Sequence, residues 1–333
     1  MRELLEELAR ARSRGDRVAL ATVVGTRRSA PRPIGSKLLV TGNGELYGSV
    51  SGGCVEADVY EACQGLLAGE QSRVLTYGIT DDEAFEVGLP CGGEIDVLVV
   101  EPDAELLARL EDVVRNEDHA VLFTNLEDGA QRLVVEGEEA EADALIRGAR
   151  SCVVGSTFAD VFGPPPRLFV YGAVDTAEAL CKAAKAIGWR TIVADARGKF
   201  ATKERLPSAD EVIVAWPDEA FARVDPDHAT AVVVLTHDDK FDVPALEAAL
   251  ASEAFYVGAL GSRRNQARRR ERLAEAGVAD ESLDRIHGPA GLDLGAATPA
   301  ETALSILAEI VATRFGRSGG PLRESAQRIH AEV

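Results

Sequence analysis

Short apolar segments recur along the second half of the chain, and amphipathic segments separate them. The apolar segments are residues 167–172, 190–196, 211–216, 231–237 and 255–261. Val, Ile and Leu dominate these segments, which is typical of strands that are buried on both faces of a sheet. Because strands that alternate with helices form right-handed βαβ units, this half predicts an α/β domain with a Rossmann-like, doubly wound parallel sheet.

The first half of the chain has a less regular pattern. We predict strands at residues 17–24, 36–41, 46–47, 73–77, 94–100 and 120–124, helices at 54–67 and 106–114, and a two-stranded element from 131–135 and 150–154. The first residues predict a short amphipathic helix that buries Leu4, Leu5 and Leu8. This order of elements predicts an α+β domain with a mixed sheet.

The clearest boundary between the two halves is the segment FGPPPR at residues 162–167. Consecutive prolines form a stiff, extended spacer, so this segment should separate two domains. We therefore predict an N-terminal domain over 1–160, a Pro-rich linker over 161–166, the Rossmann-like domain over 167–318 and a tail over 319–333.

Two predicted helices of the second domain begin with the spacing of a capping box. Asp175 stands three residues before Glu178, and Thr298 stands three residues before Glu301 with Pro299 at the first helical position. In a capping box the two side chains satisfy backbone N–H groups of the first helical turn. Both helix starts should therefore be specified locally.

The charge of the chain excludes several classes of partner. Among its 333 residues, 55 acidic and 36 basic side chains give a formal net charge of −19. A surface that binds nucleic acid or an anionic membrane must present Lys and Arg to phosphates, so neither partner is expected. A local basic cluster could still bind a small anion.

The remaining composition points to the cytoplasm. No apolar run reaches the roughly 18 residues of a transmembrane helix, and the N-terminus lacks the apolar region of a signal peptide. The five cysteines are odd in number and widely spaced, which favours free thiols in a reducing compartment. Since no Cys-x-x-Cys pair exists, we expect no structural zinc and assign no metal ligands.

A glycine-rich turn with a cysteine is the first candidate site. Residues 48–56 read GSVSGGCVE and lie between a predicted strand and a predicted helix. The backbone N–H groups of Ser51, Gly52 and Gly53 could converge there as an anion nest, and Cys54 is expected in the first helical turn. The alternative is an ordinary tight turn with a packed cysteine.

A second segment, LPCGGEID at residues 89–96, repeats the combination of a cysteine with paired glycines. If Cys91 faces Cys54, then Cys91, Gly92 and Gly93 would form one wall of a two-thiol pocket. The alternative is a turn with a buried cysteine. The other cysteines are expected in the core, and they are Cys63, Cys152 and Cys181.

The first strand-to-helix turn of the second domain departs from the dinucleotide fingerprint G-x-G-x-x-G. It begins at Gly172 and reads GAVDTA, so Val174 stands where a pyrophosphate needs a glycine, and NAD(P) binding is disfavoured there. Asp195 ends the next strand at the spacing of a ribose-binding acid, with Arg197 beside it. These residues are candidate cofactor contacts, and a surface strand end is the alternative.

A basic cluster stands out in this acidic chain. Gly261, Ser262, Arg263 and Arg264 follow a strand and begin a helix, at the edge where doubly wound sheets bind ligands. Guanidinium groups and a helix N-terminus can act together on a phosphate. The arginines at positions 268, 269, 270 and 272 are expected on a solvated helical face beside Glu271 and Glu275.

Two histidine segments lie at the same predicted edge. His237 follows a strand, and a glycine-rich loop of sequence HGPAGLDLG begins at His287. No serine or cysteine partner for a catalytic triad is evident, so no catalytic residue is assigned.

These segments together resemble a known family. SAPRPIGSK, GSVSGGCVE and LPCGGEIDVL resemble the amino-terminal module of the XdhC/CoxI proteins, the accessory factors of xanthine dehydrogenase. FYVGALGSRR, GPAGLDLGAATPAETALSILAEI and the region around 167–196 resemble their Rossmann-like carboxyl-terminal module. The resemblance covers about residues 15–315.

The resemblance implies a maturation factor that binds molybdenum cofactor (molybdopterin), assists its sulfuration with a cysteine desulfurase, and hands it to an apo molybdenum hydroxylase of the xanthine dehydrogenase or CO dehydrogenase type. It also implies a homodimer. The turns at Cys54 and Cys91 and the stretch 261–264 match the family's motifs. Many members read G-A-G-H at the turn that begins at Gly172, so a nucleotide role does not carry over to that turn.

Three functions are therefore weighed. The favoured one is a cofactor-binding chaperone without turnover, in which glycine-lined turns and residues 263–264 hold the pterin phosphate while Cys54 or Cys91 lies near the metal or its sulfur. An NAD(P)-dependent oxidoreductase would bind NAD(H) or NADP(H) tightly, although Val174 opposes it. A structural adaptor would bind the target enzyme and retain no cofactor.

Overall fold

The structure, a computed structural model, describes residues 4–28, 30–78 and 93–326. The chain divides into two compact units, of which unit 1 comprises Met1–Pro164 with Leu322–Val333 and unit 2 comprises Pro165–Pro321. Within the described residues, every helix is too short or too polar to cross a lipid bilayer.

Unit 1 contains antiparallel sheets with helices packed against them. Its helices are α1 Leu5–Ser13, α2 Glu56–Leu67, α3 Ala104–Asn116 and α4 Ala140–Gly148, and a short 3₁₀ helix is Leu322–Glu324. Its strands are β1 Val18–Arg27, β2 Lys37–Thr41, β3 Leu46–Gly48, β4 Arg73–Tyr77, β5 Glu94–Val100, β6 Ala120–Asn125, β7 Gln131–Val135, β8 Cys152–Val154 and β9 Thr157–Phe162. The described strands form a sheet of order β3-β2-β1-β5-β4 and a second sheet of order β7-β6-β9-β8.

The central position of β1 follows from its unbroken apolar sequence. Its first seven residues are all buried, because both faces of the strand are covered. Ala21 and Val23 pack with the α2 residue Val59 on one face. Leu20 packs with the α1 residue Leu8 on the other face. The connection from β3 to α2 carries the GSVSGGC turn, and it leads from a largely exposed edge strand into a helix that packs on β1.

The two-stranded element predicted from 131–135 and 150–154 is wrong. β7 pairs with β6 and β8 pairs with β9, so the two predicted partners lie at opposite edges of their sheet. The sequence pattern does not predict β9. In its sequence, TFADVF, the charged residue Asp160 interrupts the apolar pattern. Asp160 is nevertheless buried, since an ion pair with Lys37 compensates its charge.

Unit 2 is a parallel sheet with helices on both faces. Its strands are β10 Arg167–Tyr171, β11 Arg190–Asp195, β12 Glu211–Val214, β13 Thr230–Val234, β14 Tyr256–Ala259 and β15 Ile286–His287. Its helices are α5 Asp175–Ala186, α6 Pro217–Val224, α7 Asp239–Ala251, α8 Arg263–Glu275, α9 Asp280–Leu283 and α10 Pro299–Arg314. The order β12-β11-β10-β13-β14-β15, with parallel pairing throughout, is the doubly wound Rossmann arrangement.

The predicted fold class is thus confirmed, although the sequence pattern does not predict α6, α9 and β15. Alternate residues of β10 serve the two faces of the sheet. Val170 packs with α5 and α10, and Phe169 packs with α6 and α7. The edge of the sheet at which the strands end, called the carboxyl edge below, is where ligands bind in this fold.

One of the two predicted capping boxes is present. Thr298 Oγ1 accepts from Glu301 N at 3.2 Å, and Glu301 Oε2 accepts from Thr298 N at 2.8 Å. The box predicted at Asp175 is wrong, because α5 begins at Asp175 itself and its N-cap, Val174, makes no side-chain cap hydrogen bond. Glu178 instead accepts hydrogen bonds from Ser208, at 2.6 Å from its hydroxyl.

We expect Thr298→Ala to lower the free energy of unfolding by about 1 kcal/mol, because the first turn of α10 loses its cap. The matched substitution Asp175→Ala should lower the free energy of unfolding by less than about 0.5 kcal/mol, since Asp175 caps nothing and its ion pair with Arg205 is exposed. Urea unfolding followed by circular dichroism measures both variants. Equal losses in the two variants would contradict this assignment of the caps.

Candidate functional site

The turn from β3 into α2 gathers backbone N–H groups around one anion. The nitrogen atoms of Ser51 and Gly52 lie 2.8 and 3.0 Å from Oε1 of Glu56, and the nitrogen of Gly53 lies 2.7 Å from Oε2. The converging N–H groups that the sequence suggests are therefore present. The anion between them is a carboxylate of the chain itself.

Two serine hydroxyls complete this network. Ser49 Oγ donates to Glu56 Oε1 at 2.6 Å, and Ser51 Oγ donates to Oε2. Ser51 Oγ also accepts from the backbone nitrogens of Cys54 and Val55 at 2.9 and 3.0 Å. Burial disfavours the charged carboxylate, but these hydrogen bonds outweigh burial and lower the pKa of Glu56 to about 2. An ionised side chain therefore holds the turn.

Cys54 lies on this turn and not in the helix, which corrects the prediction that it occupies the first helical turn. α2 begins at Glu56, and Val55 is its N-cap. The preceding Gly52 and Gly53 have φ values of 81° and 114°, a region that residues with a side chain rarely adopt. Their backbone conformation places the N–H groups on Glu56, and the chain passes Cys54 before the helix begins.

Cys54 is the only exposed thiol among the described cysteines. Cys63 and Cys181 are buried as predicted, and burial raises the pKa of each thiol to about 12. Cys152 is half-buried. Cys91 and Gly92 lie outside the described residues, and Gly93 is buried directly before β5.

A cleft of about 690 Å³ opens in unit 1, beside the start of this turn. It is lined by residues 32–37 of the SAPRPIGSK segment, by Ser49, and by residues near Asp160. Within its lining, Lys37 Nζ lies 2.5 Å from Asp160 Oδ2, and both side chains are more than nine-tenths buried. Arg32 is exposed and makes no ion pair with any described residue.

Sequence reasoning missed this cleft, because the SAPRPIGSK loop indicates by itself only a break between strands. A usable signal is nevertheless present. Lys37 begins the apolar strand KLLVT and Asp160 interrupts the apolar strand TFADVF, and a buried charge requires a partner of opposite sign. Two charged residues inside apolar strands therefore indicate a buried pair.

The first strand-to-helix turn of unit 2 is closed by an internal ion pair. A Cβ at Gly172 would lie 3.0 Å from the nitrogen of Thr236, so the position requires glycine. Asp195 is 1% exposed, and its oxygens accept from the Arg197 guanidinium at 2.9 and 2.7 Å and from Ala173 N at 2.9 Å. Burial opposes ionisation, but the hydrogen bonds lower the pKa of Asp195. A ribose hydroxyl would have to displace Arg197.

The turn after β14 has the opposite character, because its charges have no partners among the described carboxylates. Gly261 has a φ of 144°, and the Ser262 hydroxyl caps α8 by accepting from Asn265 N at 3.2 Å. Arg263 and Arg264 are exposed, occupy the first two positions of α8, and pair with no described carboxylate. Two cations repel each other beside the positive end of a helix dipole, and a bound anion would offset this repulsion.

The later arginines of α8 do not pair with Glu271 and Glu275, so that prediction is wrong. The observed pairs are Arg268 and Arg272 with Asp239, Arg270 with Asp280 and Asp284, and Arg269 with Asp242. Arg269 is also buried rather than solvated, at 5% exposure. The acids come from α7, α9 and the loop after α9, which the spacing along one helix cannot reveal. Arg263 and Arg264 are thus the arginines of α8 that remain for a ligand.

Comparison with known families adds an independent finding. Residues 11–78 match the model of the XdhC and CoxI family, and residues 168–310 match the model of the XdhC Rossmann domain. The first range includes the cleft loop and the Cys54 turn. The second includes the turn at residues 261–264.

Three relatives match nearly the whole chain. The molybdenum cofactor insertion chaperone PaoD of Escherichia coli is 30% identical, over 94% of this chain and 89% of its own length. A Bacillus subtilis protein named as a probable xanthine dehydrogenase subunit is 27% identical, over 90% and 94%. A crystal structure described as a xanthine dehydrogenase from Bacillus halodurans superposes with a TM-score of 0.68 at 25% identity, covering 97% of this chain and 98% of that one.

We expect Glu56→Gln to lower the free energy of unfolding by about 2 kcal/mol at pH 7, because several donors lose a charged acceptor. The folded carboxylate has a pKa of about 2 and the unfolded one keeps its ordinary value of 4.5. Its stabilisation is therefore complete above pH 4.5 and is lost as the pH falls towards 2. The difference between wild type and variant should shrink over that window.

Urea unfolding at a series of pH values measures this difference. Glu61→Gln serves as the control, because Glu61 lies on the exposed side of the same helix. A gap between wild type and Glu56→Gln that stays constant from pH 6 to pH 2.5 would show that Glu56 does not hold the turn as an anion.

Proposed function

The chain belongs to the XdhC and CoxI family, and from this premise we propose that it is a maturation factor for molybdenum hydroxylases. In this function it binds molybdenum cofactor as cargo and delivers it to an apoenzyme. The relative named as a molybdenum cofactor insertion chaperone supports the role. The relative named as a xanthine dehydrogenase subunit supports a hydroxylase of that type as the receiving partner.

The observation that carries this proposal is the exposed thiol of Cys54 on a turn that an internal carboxylate holds. A thiolate is a soft ligand, suited to a metal that already carries sulfur. Because Ser51 and Glu56 fix the backbone on both sides of Cys54, the thiol meets its ligand without ordering a loop. Cys54 is assigned to the metal or sulfur end of the cargo.

Within unit 2, Arg263 and Arg264 are assigned to a phosphate group. A phosphate monoester carries nearly two negative charges at neutral pH, and guanidinium groups bind it with charge-assisted hydrogen bonds. In a chain of net charge −19, these cations at a helix N-terminus are a local exception. Their position at the carboxyl edge of a doubly wound sheet also favours ligand binding.

The cleft in unit 1 is the volume that suits a flat heterocycle. Its size of about 690 Å³ lies within the roughly 300–1,000 Å³ of small-molecule sites. Ile34 and Phe162 offer apolar surface, and Arg32 and Ser49 offer polar groups. If the cargo is sulfurated while bound, a cysteine desulfurase becomes a second partner, and Cys54 is the thiol that it could reach.

An NAD(P)-dependent oxidoreductase is supported less well. The acid that would bind the ribose, Asp195, already accepts hydrogen bonds from Arg197 and from a backbone N–H group. Val174 is the N-cap of α5, at the position where a dinucleotide needs a glycine. Pyrophosphate would therefore meet a side chain at the helix start.

The proposal is tested by co-expression with a host that produces molybdopterin, followed by pterin and molybdenum analysis of the purified chain. Wild type should retain pterin. Arg263→Ala and Arg264→Ala should each lower retention about tenfold, because each removes a charge-assisted hydrogen bond. Cys54→Ser should lower the molybdenum content, because an alcohol is a poorer ligand than a thiolate.

The matched controls are an arginine that already pairs with an acid of the chain and a thiol that is not fully exposed. Arg270→Ala removes an arginine of α8 that pairs with Asp284, and Cys152→Ser removes a half-buried thiol. Both should retain cargo like wild type. A wild-type chain without pterin would refute the function, whereas equal retention by all variants would refute only the assigned residues.

A further inference from the structure

β15 ends in a histidine that the proposed function leaves without a role, and a glycine-rich loop follows it. His287 Nδ1 lies 3.3 Å from Oε1 of Glu309, which comes from α10. The other carboxylate oxygen, Oε2, accepts from the Tyr256 hydroxyl at 2.5 Å and from Gly291 N at 2.7 Å. One carboxylate therefore joins β14, β15, α10 and the loop.

This network determines which ring nitrogen of His287 carries a proton. Burial disfavours ionisation of Glu309, but its hydrogen bonds with His287 and Tyr256 outweigh burial and lower its pKa. An ionised carboxylate only accepts hydrogen bonds, so Nδ1 of His287 must donate. In the neutral imidazole, Nε2 is then an acceptor. Histidines that bind ligands or move protons are oriented by carboxylates in this way.

The loop is built closely against two helices. A Cβ at Gly288 would lie 2.5 Å from Oε1 of Gln266 on α8. A Cβ at Gly291 would lie 2.4 Å from Oγ of Ser305 on α10. At Gly291, whose φ is 112°, a larger residue is therefore excluded, whereas at Gly288 the side chain of Gln266 would have to move aside.

The imidazole ring is fixed by its neighbours but remains partly open to solvent. The Tyr256 ring lies against it, with ring centroids 4.5 Å apart. The His287 side chain remains 32% exposed. A stacked ring and a fixed Nδ1 hydrogen bond leave Nε2 as the nitrogen available to a ligand.

His287 lies at the same carboxyl edge as the two arginines that begin α8. β14 and β15 are parallel neighbours, and Gly258 is paired with His287. Gln266, which touches the loop, stands three residues after Arg263 and therefore on the same face of α8. His287 thus ends β15 while Arg263 and Arg264 follow β14, and these are adjacent strands of one sheet.

We propose that Nε2 of His287 contacts the phosphate group that Arg263 and Arg264 bind, with Glu309 and Tyr256 as positioning residues. The ligand class is a phosphate monoester. Nε2 of His287 and one phosphate oxygen share a single proton at this contact. The monoanion donates its P–OH hydrogen to a neutral imidazole, or an imidazolium donates its Nε2 hydrogen to the dianion, and no other bond is made or broken. The inference rests on the phosphate site of the proposed function but not on the identity of the cargo.

The test uses two samples of the full chain, one labelled with ¹⁵N-histidine and one labelled uniformly with ¹⁵N. Each sample is titrated with inorganic phosphate and with glycerol 3-phosphate. Before titration, two-bond proton–nitrogen spectra should show His287 with the proton on Nδ1. Both probes should then shift Nε2 of His287 together with the amides of residues 262–264. A neutral ring with its proton on Nε2 instead of Nδ1 before titration would overturn the proposal. An Nε2 that stays still while the amides move, or no response to either probe, would also overturn it.

Variants separate a ligand contact from a purely structural role. His287→Gln should weaken phosphate binding about tenfold, measured at the amides of residues 262–264. Glu309→Gln should change the tautomer of His287, whereas Glu275→Gln, an exposed substitution on α8, should change neither tautomer nor affinity. Unchanged affinity in His287→Gln would assign the histidine to the scaffold alone.

The spectra of the wild-type protein test the proposal even if a variant fails to fold. Retention of pterin is measured separately. A negative result here would leave the maturation function intact, and a chain that binds no pterin would leave the phosphate contact of His287 to be judged by its own spectra.

Discussion

A carboxylate that leaves water and stays ionised must be given hydrogen-bond donors, and this requirement organises three turns of the protein. Glu56 takes its donors from the turn that presents Cys54. Asp195 takes them from Arg197 and the first turn of unit 2. Glu309 takes them from Tyr256, His287 and the loop beyond β15. In each case one carboxylate fixes a turn or loop by accepting hydrogen bonds from its backbone and side-chain donors.

The same requirement explains how an acidic chain leaves cations for the anionic cargo of the proposed function. Many acids and bases of the described residues neutralise each other, as Lys37 with Asp160 and Arg269 with Asp242 do. What distinguishes a binding position is then a cation without such a partner. Among the described residues Arg263 and Arg264 satisfy this condition, as Arg32 in the cleft of unit 1 does, and the proposed function uses the pair because it also begins a helix at the carboxyl edge. The excess of acids elsewhere disfavours binding to nucleic acid, whose phosphates need an extended basic surface.

The errors of the sequence analysis share a physical cause. Asp175 has the spacing of a capping residue, but α5 begins one residue earlier than a cap there would allow. The arginines of α8 have helical spacing to Glu271 and Glu275, but acids from α7, α9 and the following loop reach them instead. The glycine pattern at residues 51–53 predicts an open nest, although Glu56 of the same segment fills it. Each error takes local spacing as decisive where a competing partner is closer in space.

The sequence by itself determined the doubly wound sheet, the glycine turns, the capping box at Thr298 and the family, because periodicity, backbone freedom and motif spacing are local properties of the chain. Only the tertiary structure decided which charges are satisfied. Partners far away in the chain decide why Arg269 is buried while Arg263 is exposed, and why Cys181 is buried while Cys54 is exposed. They also decide which ring nitrogen His287 presents. Burial and pairing are properties of the packed fold, and no spacing along the chain contains them.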